Sequence, residues 1–366
     1  MSRYQLRRDR LRRLIKKSDV DGFLVTNFTN VTYLSGFTGE DSFLLILPAG
    51  EIVLSDPRYT TQLQEECPGV DLEIRPPGTA MLASIRKVLR RAKCKAVGFE
   101  SDSLTVGLYG SLVEGIDAVQ WVRCQEMVER LRRIKDRDEI RSIRTAVMLA
   151  ERSFQVIRCG LRAEEHERTV AHALESEIRR FGGRGCSFPP IVAIGPRSAL
   201  PHARPQDIPL CGHGLLLIDW GADSADGYKS DLTRVLLTGK ISPKLERIYR
   251  LVLKAQQRAI KAIRPGAICA EVDAVARKVI ADAGFGKYFG HGLGHGIGLD
   301  IHEGPRLSTV NTEPLKAGMV VTVEPGIYLP DIGGVRIEDD VLVTRDGCEV
   351  LTRLPKDWDS AATFLV

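Results

Sequence analysis

The sequence lacks long apolar runs and paired cysteines. No run within its 366 residues is long enough and apolar enough to cross a bilayer as a helix. The eight cysteines are scattered singly, and no CxxC pair occurs among them. Because unpaired cysteines are typical of reducing compartments, we expect a cytoplasmic protein without a membrane partner.

A strong charge of one sign is also missing. Lys and Arg number 52 against 47 Asp and Glu, which leaves a formal net charge of +5. One basic cluster, from Arg3 to Lys17, would suit a targeting peptide or a nucleic-acid-binding arm. Apolar residues within it favour instead a first helix with an apolar inner face and a solvated basic face, so we expect no nucleic-acid partner. These apolar residues are Leu6, Leu11, Leu14 and Ile15.

The chain is long for one hydrophobic core, so two domains are predicted. Short apolar runs alternate with helical patterns in residues 1–125, which predicts an α/β domain with a mixed sheet. Residues 126–366 are predicted to form an α+β domain with helices outside a curved antiparallel sheet. Strands are expected at 22–26, 42–48, 50–56, 70–75 and 95–100, and helices at 125–157, 163–180, 243–263 and 270–284.

Five potential metal ligands stand in apolar or glycine-rich surroundings, where an unpaired charge is costly to bury. They are Asp219, Asp231, His295, Glu324 and Glu338. The set is rich in oxygen, poor in nitrogen and free of thiolates. It therefore suits two hard or borderline divalent metals that share carboxylates, and it indicates metal-assisted hydrolysis.

The first two carboxylates belong to a predicted hairpin over residues 215–239. Its turn is expected near 223–227, so that adjacent antiparallel strands bring Asp219 and Asp231 to one face. Thr233 shares that face with Asp231 by the period of two, and its hydroxyl could support the ligands.

The other two carboxylates belong to a predicted hairpin over residues 320–344. Glu324 follows a β-branched run, where a buried carboxylate needs a partner. Arg336 and Glu338 are two residues apart and point to one side of the strand. Arg336 could therefore orient a carboxylate ligand or hold the carboxylate of a substrate.

Three histidines, His291, His295 and His302, occur in a glycine-rich stretch over residues 289–305. Each glycine costs about 1 kcal/mol against alanine in a helix, so a helical HExxH zinc site is not expected here. Repeated glycine suits a strand or loop whose backbone passes close to an ion or a substrate.

Together these segments resemble the pita-bread metallopeptidases, the fold of methionine aminopeptidase, aminopeptidase P and prolidase. The motifs DWGA and GYKSDLTR, HGLGHGIGLDIHEGP, TVEPGIY and GVRIEDD occur in the order of that family. The segments NVTYLSGF and DPRYTTQ resemble the creatinase-type N-terminal domain, which favours the proline-directed branch. LRRIKDRDEI is similar to the helix that opens the catalytic domain of the family.

The resemblance implies roles for individual residues. It gives Asp219, Asp231, His295, Glu324 and Glu338 as ligands of two metals, with Asp231 and Glu338 as the bridging pair. It implies that His291 and His302 contact substrate, and that His202 lies on a flexible segment over the site. Tyr328 and Arg336 match groups that organise the site or the substrate. Twelve positions separate Asp219 from Asp231, one more than is usual in the family, and we expect the turn to absorb the extra residue.

The activity that the resemblance implies is hydrolysis of the bond before a proline, with Glu324 moving the proton. We expect an aminopeptidase P that acts on proline-containing peptides; prolidase, which cleaves dipeptides, is the alternative. Creatinase, a metal-free hydrolase, and a non-catalytic pita-bread module are more remote, because this chain retains all five ligands. The expected metal is manganese, with cobalt, zinc or iron as alternatives, and the expected assembly is a homodimer.

Overall fold

The computed structural model describes residues 2–363 and residue 365. Its contacts divide the chain into two compact units, one ending at Arg132 and one beginning at Arg133. The domain boundary predicted between residues 125 and 126 lies within the first of these units. None of the helices in the described residues combines the length and the apolar content that crossing a membrane requires.

The first unit is an α/β domain built around a six-stranded sheet. The strands are β1 (Gly22–Val25), β2 (Phe43–Leu47), β3 (Gly50–Ser55), β4 (Asp71–Ile74), β5 (Ala96–Glu100) and β6 (Gln120–Cys124). The helices are α1 (Arg3–Ile15), α2 (Phe28–Ser35), α3 (Thr60–Glu66), α4 (Met81–Ala92), α5 (Val106–Gly115) and α6 (Glu129–Arg132). The sheet order is β4-β3-β2-β1-β5-β6. Strand β2 is antiparallel to both of its neighbours and the other pairings are parallel, so the predicted mixed sheet is confirmed.

Helix α1 buries Leu11 and Ile15, as its sequence predicts, but its other buried residues differ from the prediction. Leu6, expected on the inner face, is 46 % exposed. Arg7 and Arg8, expected on the solvated face, are buried, and their Nη1 atoms donate to the carbonyl oxygens of Tyr33 and Leu34 at 3.0 and 2.8 Å. These carbonyls lie in the last turn of α2, where no intrahelical donor remains. The assignment of both arginines to a solvated face was therefore wrong.

The second unit contains twelve strands within the described residues. They are β7 (Gly185–Cys186), β8 (Ile191–Ile194), β9 (Leu215–Trp220), β10 (Ala222–Asp223), β11 (Leu232–Leu237), β12 (Gly294–Gly296), β13 (Glu303–Leu307), β14 (Val320–Val323), β15 (Gly326–Leu329), β16 (Gly333–Arg336), β17 (Asp339–Val343) and β18 (Cys348–Val350). These strands form antiparallel sheets of the orders β11-β9-β8, β13-β12-β14-β17-β18, β15-β16 and β10-β7.

The helices of the second unit are α7 (Arg137–Gly160), α8 (Glu167–Arg180), α9 (Pro243–Ala262), α10 (Cys269–Asp282) and α11 (Trp358–Ala361). The helix predicted over 125–157 is interrupted between Arg132 and Arg137. The side chain of Asp136 accepts the backbone N–H of Glu139 at 2.9 Å, and the Glu139 carboxylate accepts that of Asp136 at 3.0 Å. This capping box satisfies the free N–H groups at the start of α7 and fixes where the helix begins.

Strand β9 lies between two layers of helices. Leu217 packs in the core cluster that includes residues of α9 and α10, whereas Ile218 and Trp220 pack in the cluster that includes residues of α7 and α8. Because successive strand residues face opposite sides, Asp219 shares the side of Leu217. The end of β9 thus presents a carboxylate on the α9–α10 side of the sheet.

Candidate metal centre

The first hairpin brings Asp219 and Asp231 to one face of the sheet. Asp219 pairs with Thr233 across β9 and β11, so Asp231, two residues before Thr233, is its diagonal neighbour on the same face. Gly227 turns the chain with a φ of 86°. That conformation carries little cost for glycine, so the turn can absorb the extra residue without a change of register. This is the register that the sequence-based expectation required.

The second hairpin places Glu324 directly opposite Glu338. Val323 pairs with Asp339 and Gly326 pairs with Arg336, and a single register continues through both pairs. Glu324 and Glu338 stand where the hairpin leaves one sheet and enters the next. Like charges directly opposite each other on neighbouring strands are destabilising, so this pair calls for a cation.

Strand β12 brings His295 close to these carboxylates. A Cβ at Gly294 would lie 2.0 Å from the Thr322 carbonyl oxygen, so this close approach of the two strands requires glycine. The Nδ1 atom of His295 lies 3.1 Å from the carbonyl oxygen of Gly296, to which it donates. Its Nε2 atom therefore carries the lone pair, 3.5 Å from both Asp231 Oδ2 and Glu324 Oε1.

Asp231, His295 and Glu338 form a buried group whose ligand-type atoms all lie within 4.8 Å of one another. Their exposed fractions are 5, 5 and 2 %, and that of Asp219 is 7 %. The side chain of Glu324 is 17 % exposed and is the most accessible of the five. All five predicted ligands are thus gathered at the two hairpins and β12.

The carboxylates repel one another in this buried setting. Burial, followed by repulsion from Glu338, raises the pKa of Asp231 well above its usual value. Burial, followed by repulsion from Glu324, does the same to the pKa of Glu338. Burial raises the pKa of Glu324 to about 8 and also raises that of Asp219, and attraction to Arg336 opposes both changes. The four carboxylates therefore repel one another more strongly than the one positive charge of Arg336 offsets.

Arg336 is the buried cation that links these residues. Its Nη2 donates to Asp219 Oδ2 at 2.5 Å, its Nε donates to the Thr233 hydroxyl at 3.0 Å, and its Nη1 donates to the Tyr328 hydroxyl at 2.8 Å. The Thr233 hydroxyl in turn donates to Glu338 Oε2 at 2.6 Å. Arg336 thus orients carboxylates on both hairpins, one of the two roles expected for it.

His291 uses both ring nitrogens within the protein. Arginine can only donate, so the Tyr328 hydroxyl accepts from Arg336 and is free to donate to His291 Nε2 at 2.9 Å. The Nδ1 atom then donates to the Gly292 carbonyl oxygen at 2.8 Å. Burial lowers the pKa of His291 to about 4, which agrees with a neutral ring. A direct contact of this ring with substrate stays a prediction that requires one of these bonds to open.

His302 and His202 lie at the exposed side of the group. The His302 ring packs edge-on against His295 with ring centroids 4.4 Å apart. His202 follows a 3₁₀ turn at Gly195–Ala199 and is exposed. Its neighbour Pro201 accepts from Arg336 Nη1 at 3.3 Å, which ties this segment to the site. Both histidines stay candidates for substrate contact.

Two further features of the site were not found from the sequence. Arg306 pairs with His295 across β12 and β13, is exposed, and exerts a charge effect on His295, His302 and Glu324. Asp340 is fully buried and its Oδ2 accepts the backbone N–H of Asp231 at 3.1 Å. Because a bulge shifts the register between β12 and β13, the pairing of Arg306 with His295 cannot be predicted by counting residues along the two strands.

The residues present fit divalent metal ions. Asp219 Oδ1 is buried and has no hydrogen-bond partner among the described residues, and His295 Nε2 offers its lone pair to the same group. Carboxylate oxygens with one imidazole suit hard or borderline divalent cations. Bound cations would also relieve the repulsion among the carboxylates. The fold and the site together therefore define a metallohydrolase.

Comparison with known proteins identifies the family. The model of metallopeptidase family M24 matches residues 141–345, and that of the creatinase/prolidase N-terminal domain matches residues 7–134. The chain belongs to metallopeptidase family M24 and has the pita-bread fold with a creatinase-type N-terminal domain. It is a hydrolase of the metallopeptidase class.

Three solved structures resemble the chain over nearly its whole length. An Xaa-Pro dipeptidase from Bacillus anthracis is 37 % identical, with a TM-score of 0.94 over 99 % of this chain and 100 % of that one. An X-Pro aminopeptidase from Thermotoga maritima is 35 % identical, with a TM-score of 0.88 over 98 and 100 %. A prolidase from Pyrococcus horikoshii is 33 % identical, with a TM-score of 0.89 over 96 and 99 %.

Proposed function

We propose that the protein is an Xaa-Pro dipeptidase, a prolidase, that works with two divalent metal ions. The observation that carries the proposal is the buried group formed by His295 and the four mutually repelling carboxylates. The similarity to an Xaa-Pro dipeptidase and a prolidase supports the choice of substrate. The sequence led us to expect aminopeptidase P, and the comparisons favour the alternative reading.

We assign the metal ions to the five residues expected as ligands. Asp231 and Glu338 would help to hold both ions, and His295, Glu324 and Asp219 would complete the set of ligands. Manganese is the proposed metal, and cobalt, zinc and iron suit the same donor set. When bound, the ions would supply a hydroxide nucleophile and polarise the scissile carbonyl.

The side chains of the protein move protons and hold the substrate. Glu324, partly exposed, takes a proton from the attacking water on a carboxylate oxygen and passes it to the leaving proline nitrogen. His302 lies beside His295 with an accessible ring and donates to the oxygen that gains charge. His291 acts through Tyr328, which its ring nitrogen holds in place.

The position of Arg306 is a reason to propose a dipeptide substrate and not a longer peptide. Its guanidinium is exposed on the His302 and Glu324 side of the site, and no ion pair is described for it in residues 2–363 and 365. A dipeptide carries its terminal carboxylate on the proline, whereas a longer peptide has a neutral amide there. A free arginine is the side chain best suited to bind that carboxylate.

Kinetics on matched substrates test the proposal. The enzyme, loaded with Mn²⁺, is assayed on an Xaa-Pro dipeptide and on the Xaa-Pro-Yaa tripeptide with the same first residue. We expect kcat/KM to favour the dipeptide by about tenfold or more, the value of one charged hydrogen bond. Arg306→Met should remove most of that preference through KM. Equal or better cleavage of the tripeptide by the unaltered enzyme would contradict the dipeptidase assignment.

Aminopeptidase P is the second candidate, because an X-Pro aminopeptidase of similar fold is 35 % identical to the chain. Tripeptide preference in the same assay would support it. The homodimer and the cytoplasmic location also stay predictions. Light scattering on the purified protein measures the oligomeric state directly.

A further inference from the structure

Arg234 lies behind the metal centre. It follows Thr233 in β11 and therefore points to the opposite face of the strand, away from the carboxylates. Only 3 % of its surface is exposed. Burying a guanidinium is costly unless its N–H groups make hydrogen bonds, so the acceptors of Arg234 show which parts of the protein it holds together.

Arg234 uses all five of its N–H donors. Nη1 donates to the carbonyl oxygens of Thr233 and Glu338 at 2.9 and 2.6 Å. Nη2 donates to Asp339 Oδ1 and to the Leu354 carbonyl oxygen at 2.8 and 2.9 Å. Nε donates to the Pro355 carbonyl oxygen at 3.2 Å. Five donors in a fixed plane meet five acceptors, a match that lysine, with three donors on one atom, cannot reproduce.

Three of these acceptors, on Thr233, Glu338 and Asp339, belong to the two hairpins that carry the proposed ligands. The other two are backbone carbonyls of the segment that follows the second hairpin. In the described residues, the first hairpin meets the backbone of Glu338 through an isolated bridge in which Glu338 N–H donates to the Thr233 carbonyl at 3.2 Å. A second tie to the backbone is the bond from Asp231 N–H to Asp340 Oδ2. On the front face, the side chains of Arg336 and Thr233 also join the two hairpins. Arg234 bonds to the backbone on both sides of the junction from the opposite face.

Asp339 holds the guanidinium in this position. Its Oδ1 accepts from Arg234, and its Oδ2 accepts from Gln256 Nε2 at 2.6 Å and from Lys356 Nζ. Lys356 Nζ also donates to Gln256 Oε1 at 2.9 Å. Arg234, Asp339, Gln256 and Lys356 thus form one connected network of hydrogen bonds, which fixes the position of the guanidinium.

We propose that Arg234 is a positioning residue for the metal centre. By holding the Glu338 carbonyl and the Thr233 carbonyl in one plane, it sets the spacing between the Asp231 and Glu338 carboxylates on the front face. Arg234 contacts neither metal nor substrate in this role. The inference rests on the metal-dependent function proposed above, and it adds a residue on which the affinity of the centre for divalent ions depends.

The test compares Arg234→Lys with Arg158→Lys. Arg158 is a matched control, because it donates to the carbonyl oxygens of Ser360 and Ala362 in the C-terminal segment and makes no described bond to either hairpin. Titration calorimetry with Mn²⁺ measures affinity and stoichiometry on the metal-free proteins. Hydrolysis of an Xaa-Pro dipeptide at saturating Mn²⁺ gives kcat and KM, and thermal unfolding without metal gives the stability of each variant.

For Arg234→Lys we expect Mn²⁺ affinity and kcat each to fall by about tenfold or more, the usual effect of removing a residue that orients metal ligands. KM should change by less than about threefold, since the substrate contacts remain. Arg158→Lys should match the unaltered protein in both. A lower unfolding temperature with unchanged Mn²⁺ affinity and kcat would overturn the proposal and leave Arg234 a purely structural residue.

If Arg234→Lys is not recovered folded, Asp339→Asn decides the question. Asparagine keeps one acceptor for Nη2 and removes the charge, so a smaller loss of Mn²⁺ affinity is expected, and unchanged affinity counts against the proposal. Failure of the proposed function looks different. The unaltered protein would then bind no Mn²⁺ or would not cleave an Xaa-Pro bond, whatever the variants do.

Discussion

His291 and His295 come from the same glycine-rich stretch, yet they offer different atoms to their surroundings. The Nδ1 atom of His295 donates to a backbone carbonyl, and the lone pair of its Nε2 faces the carboxylate group. Both ring nitrogens of His291 are hydrogen-bonded, one to Gly292 and one to Tyr328. The two residues are of the same type, so residue type does not distinguish their roles. His295 is the candidate ligand because one of its ring nitrogens has no hydrogen bond among the residues that the structure describes.

The number of oxygens without a hydrogen bond also distinguishes Asp56 from the carboxylates of the metal centre. In the segment that resembles the creatinase-type domain, both Asp56 oxygens accept hydrogen bonds from Arg58, and Oδ2 also accepts from Arg75. The bonds from the Arg58 side chain outweigh burial and lower the pKa of Asp56 to about 2. Asp56 is therefore a structural carboxylate.

A lowered pKa gives a pH-dependent contribution to stability. Because Asp56 titrates near 2 when folded and near 3.8 when unfolded, its contribution is present above pH 3.8 and is lost as the pH falls towards 2. Asp56→Asn should cost on the order of 1 kcal/mol at pH 7, since exposed Arg58 is screened by water, and almost nothing at pH 2. Urea unfolding of the first unit at both pH values measures this. Asp41→Asn is the control, because Asp41 is an exposed partner of Arg58. A difference between Asp56→Asn and the unaltered protein that does not change with pH would refute the argument.

At the scale of helices and strands, the sequence predicts the elements that show a regular local alternation of apolar and polar residues. Alternation in 215–239 and 320–344 was enough to predict both hairpins. The register that sets Glu324 opposite Glu338 comes from the pairing of Leu329 with Gly333, which the alternation alone does not give. The break between α6 and α7 was missed because the apolar spacing runs through it, while a cap at Asp136 interrupts the helix. Arg234 was missed because its partners depend on packing between distant segments. Arg306 was missed because the bulge between β12 and β13 shifts its register.

The ion pair between Lys135 and Glu303 is such a long-range contact. Lys135 Nζ lies 3.0 Å from Glu303 Oε2, and the two side chains are 1 and 7 % exposed. Glu303 directly follows His302, and its Oε1 accepts the backbone N–H of Asp300 at 3.2 Å. The pair thus anchors the loop that presents His302, although 168 positions separate its members.

Removing one member of this pair should destabilise the second unit. Lys135→Met leaves the Glu303 carboxylate buried without that cation, a change expected to cost about 3–5 kcal/mol. The double variant Lys135→Met, Glu303→Gln should recover part of the loss, because the buried charge is gone. Urea unfolding in the absence of metal gives both values. Equal stability of the single variant and the unaltered protein would show that the pair does not anchor the loop.

At the scale of the whole molecule, the small net charge of +5 conceals a concentration of negative charge at one place. Asp219, Asp231, Glu324 and Glu338 are crowded into one group of the second unit, and Arg336 is the cation bonded to it. Function at such a site is obtained at the expense of stability, because the free protein must hold like charges together. The fold of the second unit should therefore be more stable with divalent ions than without them.

The variant Asp231→Asn should affect stability in opposite directions in the metal-free and the metal-bound protein. In a chelator this variant should be more stable than the unaltered protein by on the order of 1 kcal/mol, since one of the repelling carboxylates is gone. With Mn²⁺ at a hundred times its dissociation constant, the unaltered protein should gain about 2.7 kcal/mol for each occupied site, and the variant much less. The order of the two unfolding temperatures should thus reverse between chelator and Mn²⁺. Thermal unfolding followed by circular dichroism measures the reversal, with Asp223→Asn as the control on a carboxylate of the same hairpin that is bonded to Lys229. If Asp231→Asn is the less stable protein in chelator and gains as much from Mn²⁺ as the unaltered chain, Asp231 is not a metal ligand.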